Sequence, residues 1–247
     1  MKARLLSTAL LHARPPRDRR RDERGACSVC GRHGRLAFNS WAIPRDGWSE
    51  EYARRESLFC AHCRSSQRVR RLADVLVAYY ADAARSVATL VEESGFRGLR
   101  TAEINAAGPL HGVLARHPDL TYSEYPDEDL TRLSYADGSF DLVVHAETLE
   151  HVPDPDAALR ELRRVLRRGG RTVFTTPVDL ERERSAPPAA AVYHGRGSGL
   201  FALARRREDH LVRTEFGRDL LNRMERAGLE PETHFDGGEL VLAGAAR

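Results

Sequence analysis

A doubly wound α/β domain with a small cysteine module in front of it is the fold class that this sequence predicts, and three observations predict it. After Gly98, short apolar runs alternate with amphipathic stretches, the pattern of a parallel sheet with crossover helices. Polar residues gather where those runs end, which is where ligands lie in such sheets. Before Gly98, all four cysteines fall into two matched C-x-x-C pairs.

The 247 residues hold one full-sized α/β domain and a minor appendage. Residues 1–25 read as a flexible leader, because PPRDRRRDERG carries alternating charge and no large apolar residue and so cannot bury itself. Met1 to Ala13 faintly imitates a secretory signal, a reading disfavoured by its very short apolar centre and the arginines that follow. No stretch approaches the roughly 20 apolar residues that cross a bilayer, so a soluble, cytoplasmic protein with no membrane partner is expected. The formal charge is +3, with 39 Lys and Arg against 36 Asp and Glu. That is a weak field, and it does not call for nucleic acid as a partner.

Residues 26–66 read as a zinc-binding module. Cys27-Ser-Val-Cys30 and Cys60-Ala-His-Cys63 each let two thiolates reach one ion from a tight loop, and two loops complete the tetrahedral sulfur shell of structural Zn2+. Disulfides and redox-active pairs are the competing readings. With four protein ligands no coordination position stays open, so the ion would hold the fold and stand apart from any chemistry. His33 and His62 are left out of the ligand set, and Trp41, Trp48, Tyr52 and Phe59 supply a mini-core.

Residues 67–97 form a helical connector. Leu72, Val75, Leu76, Tyr79, Tyr80, Ala83, Val87, Leu90 and Val91 recur at helical spacing, with Ser65 or Ser66 as cap and Gly95 and Gly98 as stops.

Residues 98–247 form the main domain. Leu99–Ile104, Leu120–Glu124, Phe140–His145 and Arg171–Thr176 read as strands, and Gly108–Arg116 as a helix. A second helix runs from Asp154 or Pro155 to Arg167, with Ala158, Leu159, Leu162, Val165 and Leu166 on one face, and Gly169-Gly170 end it.

The run LSYADGSFDLVVHAETLEHVPDPDAALRELRRVLRRGGRTVFTTPV resembles the signature stretch of class I S-adenosylmethionine-dependent methyltransferases of the type 11 group, whose fold is Rossmann-like. With TAEINAAGPLHGVL and TYSEY upstream, the likeness covers Leu99 to Val178 and continues more weakly through YHG and TEFGRDLLNRMERAGL. The two-knuckle segment ending in CRSSQRVRRL resembles that of a bacterial subgroup of these enzymes. The resemblance implies S-adenosylmethionine as cofactor and assigns roles by position. Glu103 is the acidic residue beside the cofactor loop. Glu124 takes the ribose hydroxyls, Asp129 and Leu130 take the adenine, and His145 to Thr148 pass under the methionine part. The loop departs from the family's E-x-G-x-G-x-G. It reads Glu103-Ile104-Asn105-Ala106-Ala107-Gly108-Pro109, where Asn105 tolerates left-handed angles and Ala107 is small. Glu124 as a surface carboxylate and Asp129 as a helix cap are the structural alternatives.

A methyl on a sulfonium is already activated, so positioning dominates and a base is needed only for a hydroxyl acceptor. His151 in LEHV and His194 in the Tyr193-His194-Gly195 insertion are the candidate bases. The arginine-rich LFALARRRE run after Gly199 suits an anionic acceptor or a solvated helix face. A small molecule, sugar, glycan or natural-product intermediate is the expected acceptor. RNA methylation with the zinc module gripping the backbone, and a non-catalytic scaffold that kept the fold, are the alternatives. All of it rests on the tips of the strands ending at Glu103, Glu124 and His145 converging on one crevice.

Overall fold

The computed structural model describes residues 22–38, 50–192, 210–236 and 239–247. His194, Tyr193, Trp41, Trp48, the side chain of Tyr52 and the arginine-rich run after Gly199 lie outside them.

The N-terminal unit is a three-stranded antiparallel sheet of β1 (Glu23–Ala26), β2 (His33–Phe38) and β3 (Leu58–Cys60), with α1 (Glu50–Ser57) between β2 and β3. β1 starts inside the expected leader. Asp22 explains the earlier start: it accepts from the Arg35 guanidinium and from the Phe38 N–H, tying the incoming chain to β2.

The second unit is a six-stranded sheet ordered β5-β4-β6-β7-β9-β8, built from β4 (Thr101–Ile104), β5 (Leu120–Ser123), β6 (Phe140–Ala146), β7 (Leu166–Thr175), β8 (Leu229–Asp236) and β9 (Glu239–Ala246). The first four strands are parallel, and β9 runs antiparallel between β7 and β8. From β4 the chain steps one way to β5 and the other way to β6, so strand order reverses beside β4. A doubly wound sheet is what the alternating runs predicted.

Side chains alternate across the sheet. Leu142 and Val144 of β6, Val173 of β7 and Val241 and Ala243 of β9 pack in one cluster with Val69, Leu72, Ala73, Val75 and Leu76 of α2 (Gln67–Tyr80). Val143, Phe174 and Leu242 face the other way, onto Ala158, Leu159 and Leu162 of α6 (Pro155–Val165) and Leu220 and Met224 of α7 (Asp219–Arg226). The first cluster continues without a break into Cys27, Val29, Leu58 and Cys60. The expected connector is therefore a structural layer of the main sheet, and the cysteine unit shares its core.

Local chemistry sets the element ends. Ser66 caps α2, accepting from the Val69 N–H. The helix stops at Tyr80, earlier than the glycines suggested. Glu93 accepts the N–H groups of Asp82, Ala83 and Ala84, turning the chain into α3 (Val87–Leu90) and α4 (Ser94–Arg97). The expected helix after β4 shortens to a 3-10 turn at Gly108–Leu110 and α5 (His111–Leu114). Asp154 caps α6 with its side chain on the Ala157 N–H. α6 ends at Val165 rather than at the glycines. Leu166 pairs with Phe140, the ladder resumes at Leu142 with Arg171, and Gly169 (φ 76°) and Gly170 lie in the bulge between. A Cβ at Gly170 would sit 3.0–3.1 Å from the carbonyl oxygens of Arg167, Asp141 and Phe140.

Candidate cofactor site and four-cysteine site

The turn after β4 is built around Asn105. Its φ of 58° is left-handed, a conformation that asparagine tolerates. Its N–H donates to the Ser123 carbonyl (2.8 Å), its Oδ1 accepts from the Tyr125 N–H (3.0 Å) and its Nδ2 donates to Thr148 Oγ1 (3.4 Å). One side chain thus ties together the segments that leave β4, β5 and β6. Gly108, at φ 57°, is also left-handed. A Cβ there would meet nothing closer than 3.7 Å, so backbone angle and not space favours glycine.

Glu103 is fully buried beneath this turn. One carboxylate oxygen accepts the Ala107 N–H (2.9 Å) and the other pairs with His111 Nδ1 (2.7 Å). Burial pushes its carboxyl above the usual range, against the pull of those two partners. The His111 ring lies 4.3 Å from that of Tyr122, whose hydroxyl donates to Glu124. A connected path therefore leads from the buried carboxylate to the exposed one.

A cavity of about 500 Å³ opens over the strand ends, within the size range of small-molecule sites. Asn105 and Ala106 border it at β4. Glu124, Tyr125, Glu128, Asp129 and Leu130 line it beyond β5, and Ala146, Glu147, Thr148 and His151 beyond β6. Asp129 also accepts the Thr131 N–H and hydroxyl on one oxygen (2.8 and 2.7 Å), so it caps a turn while facing the cavity.

Of the predicted residues, Asn105, Glu124, Asp129, Leu130 and His151 meet at this cavity. Glu103, Ala107 and Gly108 stand behind its rim. The structure corrects the placement of His145. Alternation puts its side chain on the α6 and α7 face of the sheet, fully buried and stacked on Phe174 at 4.6 Å. Neither ring nitrogen has a hydrogen-bond partner, and burial lowers its pKa to about 3. The crevice joins the segments after Glu103, Glu124 and His145, but of those three side chains only Glu124 lines it.

His151 Nδ1 faces the Leu211 carbonyl at 3.0 Å. A carbonyl only accepts, so Nδ1 carries the proton, and Nε2 lies 3.6 Å from Glu150. Glu150 is buried and accepts from the Thr176 hydroxyl (2.8 Å). Its backbone carbonyl receives the N–H groups of Arg213 and Thr214. This brings two residues to the cavity that sequence reasoning missed, His210 and Arg213. Their run, EDHLVRTEF, has no periodicity, and only the return of the chain across the strand ends places them. Glu147 was also missed as a separate group. Its backbone is left-handed (φ 49°), its N–H donates to Thr175 and its carboxylate accepts from Arg55 (2.8 Å).

The cysteines form a second centre. In both knuckles the residue after the second cysteine is left-handed, Gly31 (φ 75°) and Arg64 (φ 67°). Its N–H returns to the carbonyl of the first cysteine at 2.7 and 3.0 Å. The four thiols are free of disulfides and all four sulfurs lie within 4.8 Å of one another. Cys27 and Cys63 are 3.6 Å apart, Cys30 and Cys60 3.9 Å. A tetrahedron with zinc–sulfur bonds of about 2.3 Å has edges of about 3.8 Å, so the donor set fits that ion. The hydrogen bond from the Cys63 thiol lowers Cys27 to about 4 and pushes Cys63 up in exchange.

Residues 105–174 match a family model described as a methyltransferase domain. They carry that domain's pattern. The matched segment runs from the Asn105 turn through most of β7, so it contains every residue that lines the cavity except His210 and Arg213. The ubiquinone biosynthesis O-methyltransferase of Albidiferax ferrireducens is 40% identical over 67 residues, 27% of this chain and 26% of that one. The sarcosine/dimethylglycine N-methyltransferase of Halorhodospira halochloris is 41% identical over 58 residues, 24% and 21% of the two chains. The demethylmenaquinone methyltransferase of Mycolicibacterium vanbaalenii is 50% identical over 54 residues, 21% and 24%. The chain spans about a quarter of the length of these relatives. An S-adenosylmethionine dependent methyltransferase from Mesorhizobium loti has 18% sequence identity over 60% of this chain and 91% of that one, with a TM-score of 0.39. Among the described residues, no helix is long and apolar enough to cross a membrane.

Proposed function

We propose that this chain is a cytoplasmic S-adenosylmethionine-dependent methyltransferase acting on a small-molecule acceptor. The observation that carries the reading is the Asn105 turn, which holds the ends of β4, β5 and β6 around one cavity with Glu124 on its wall. This is the place where strand order reverses and where nucleotides bind in such sheets.

The residues divide the work. Glu124 accepts both ribose hydroxyls, its charge strengthening those bonds, and Tyr122 orients it. Asp129 takes the adenine amino group and Leu130 packs on the ring. Glu103 holds the Ala107–Gly108 backbone so that the loop stays open, and the missing glycines are offset by the left-handed Asn105. In place of the His145 ring, Ala146 to Thr148 border the methionine end. Bound there, S-adenosylmethionine supplies a methyl already activated by its sulfonium. His151 takes the acceptor's proton on Nε2 when the acceptor is a hydroxyl, and His194 is the other candidate base. The four cysteines hold Zn2+ as a structural ion.

The fragments matched belong to proteins named for O- and N-methylation of small molecules, which supports a small organic acceptor over RNA. The test is calorimetric titration of the full chain with S-adenosylmethionine. One-site binding that Glu124→Ala weakens tenfold or more supports the enzyme. Absence of binding by the wild type supports the non-catalytic scaffold.

A further inference from the structure

Read from spacing alone, the cysteine unit stands apart from the chemistry. The structure places two of its neighbours against a residue of the cavity wall, Glu147. Arg55, in α1, lies five residues before Cys60, and Arg68, in α2, five after Cys63. The two arginines therefore flank the second knuckle. Arg55 is 6% exposed. Its Nη2 donates to Glu147 at 2.8 Å, and Arg68 Nε stands 3.9 Å from the same carboxylate oxygen. Glu56 lies between them, 3.0 Å from Arg68 Nε and 3.5 Å from Arg55 Nε. Two cations and two anions thus form one network with little contact with water, where charge pairs are felt strongly. Glu147 lines the cavity and holds a left-handed backbone angle that glutamate rarely adopts. Such a residue keeps its conformation only when its surroundings impose it.

The knuckle is in turn tied to α2. Arg70 Nη1 donates to the carbonyls of Leu58 and Ser65, both at 2.9 Å, and the Ser28 hydroxyl of the first knuckle donates to the Arg70 carbonyl at 2.7 Å. Through these bonds the two knuckles brace the segments that carry both arginines, just after α1 at Leu58 and just before α2 at Ser65.

From this we infer that Arg55 and Arg68 are positioning residues that fix Glu147 at the cofactor cavity, so that metal binding by the four cysteines and ligand binding in the cavity are energetically coupled. The inference rests on the proposed cofactor site. Coupling is reciprocal: if metal improves ligand affinity by some factor, ligand must tighten metal binding by the same factor.

The experiment uses the zinc-loaded full chain. The zinc Kd is measured by equilibrium competition with a colorimetric chelator, with and without saturating S-adenosylhomocysteine, and the affinity for S-adenosylhomocysteine is measured for the wild type, Arg55→Met and Arg55→Lys. The expected results are a zinc Kd lowered about tenfold by ligand in the wild type and not in Arg55→Met, a Kd for S-adenosylhomocysteine raised about tenfold in Arg55→Met, and partial recovery in Arg55→Lys. A zinc Kd indifferent to a ligand that does bind overturns the coupling, as does a chain that takes up no zinc. If the wild type binds no S-adenosylhomocysteine, the cofactor reading fails separately. Hydrogen exchange then decides the positioning: stripping zinc must speed exchange of amides 146–151 in the wild type and not in Glu147→Gln, and unchanged exchange overturns it.

Discussion

Acidification isolates the placement of His145. Its imidazole is buried without a hydrogen-bond partner, and desolvation lowers its pKa from the ordinary 6.5 to about 3. The unfolded chain takes up that proton near pH 6.5 while the folded chain refuses it down to about pH 3. Stability is thus intact above 6.5 and is lost as pH falls through the interval between the two values. At pH 5 the unfolded state gains about 1.5 pH units of binding advantage, which at 1.36 kcal/mol per unit is about 2 kcal/mol. The full interval is an upper bound of about 5 kcal/mol. Urea denaturation of the wild type and of His145→Leu at pH 7, 6 and 5 reads the difference. The substitution shifts both curves by a constant packing cost, but the slope between pH 6.5 and 5 should be shallower in the variant by about 2 kcal/mol over that range. Parallel curves would mean that the ring meets water, as it would if it lined the cavity, and the assignment of β6 faces would be wrong.

Three further outcomes are expected. Asn105→Ala puts alanine in a left-handed turn and removes two side-chain hydrogen bonds. It should cost about 2–3 kcal/mol, whereas Asn105→Gly, free of the backbone strain, should cost visibly less in the same denaturant titration. Removal of zinc by a strong chelator should lower Tm by several degrees and be reversed by added zinc, since the cysteines sit in the same core as α2; an unchanged Tm after verified metal loss would contradict a structural role. Gly244→Val should destabilise by about 1–3 kcal/mol, because its Cβ would already stand 3.1 Å from Met224 and 3.2 Å from Leu229; neutrality in thermal melts would show that α7 packs more loosely on β9 than described.

What could be read before folding follows a physical line. β6 was legible because FDLVVH holds the unbroken apolar run Leu142-Val143-Val144 with Phe140 before it, as suits a strand covered on both faces. α6 was legible because its apolar residues fall on one side and Asp154 supplies a cap. Asn105 was legible as a tolerable left-handed residue where a glycine is usual. β8 and β9 were not noticed, although Asp236-Gly237-Gly238-Glu239 between two runs is a hairpin signal. Pro231 and the charges of β8 mask it, because β8 is an edge strand and edges carry such residues. α2 gave a clear helical period, but a period names a buried face without naming what covers it. His145 was misplaced for a simpler reason: a strand end aims at the crevice, while its last side chains still alternate, and Val143 already pointed to the other face. Glu147, His210 and Arg213 had no local signal, since a left-handed glutamate and a returning loop are imposed by contacts distant in sequence.

The most direct measurement is a crystal structure of the full chain soaked with S-adenosylhomocysteine. The ribose hydroxyls should lie within hydrogen-bond distance of Glu124, with the adenine over Leu130 and the homocysteine end beside Glu147. Density for the ligand anywhere else, or a crevice closed by packed side chains in a crystal exposed to saturating ligand, would contradict the account.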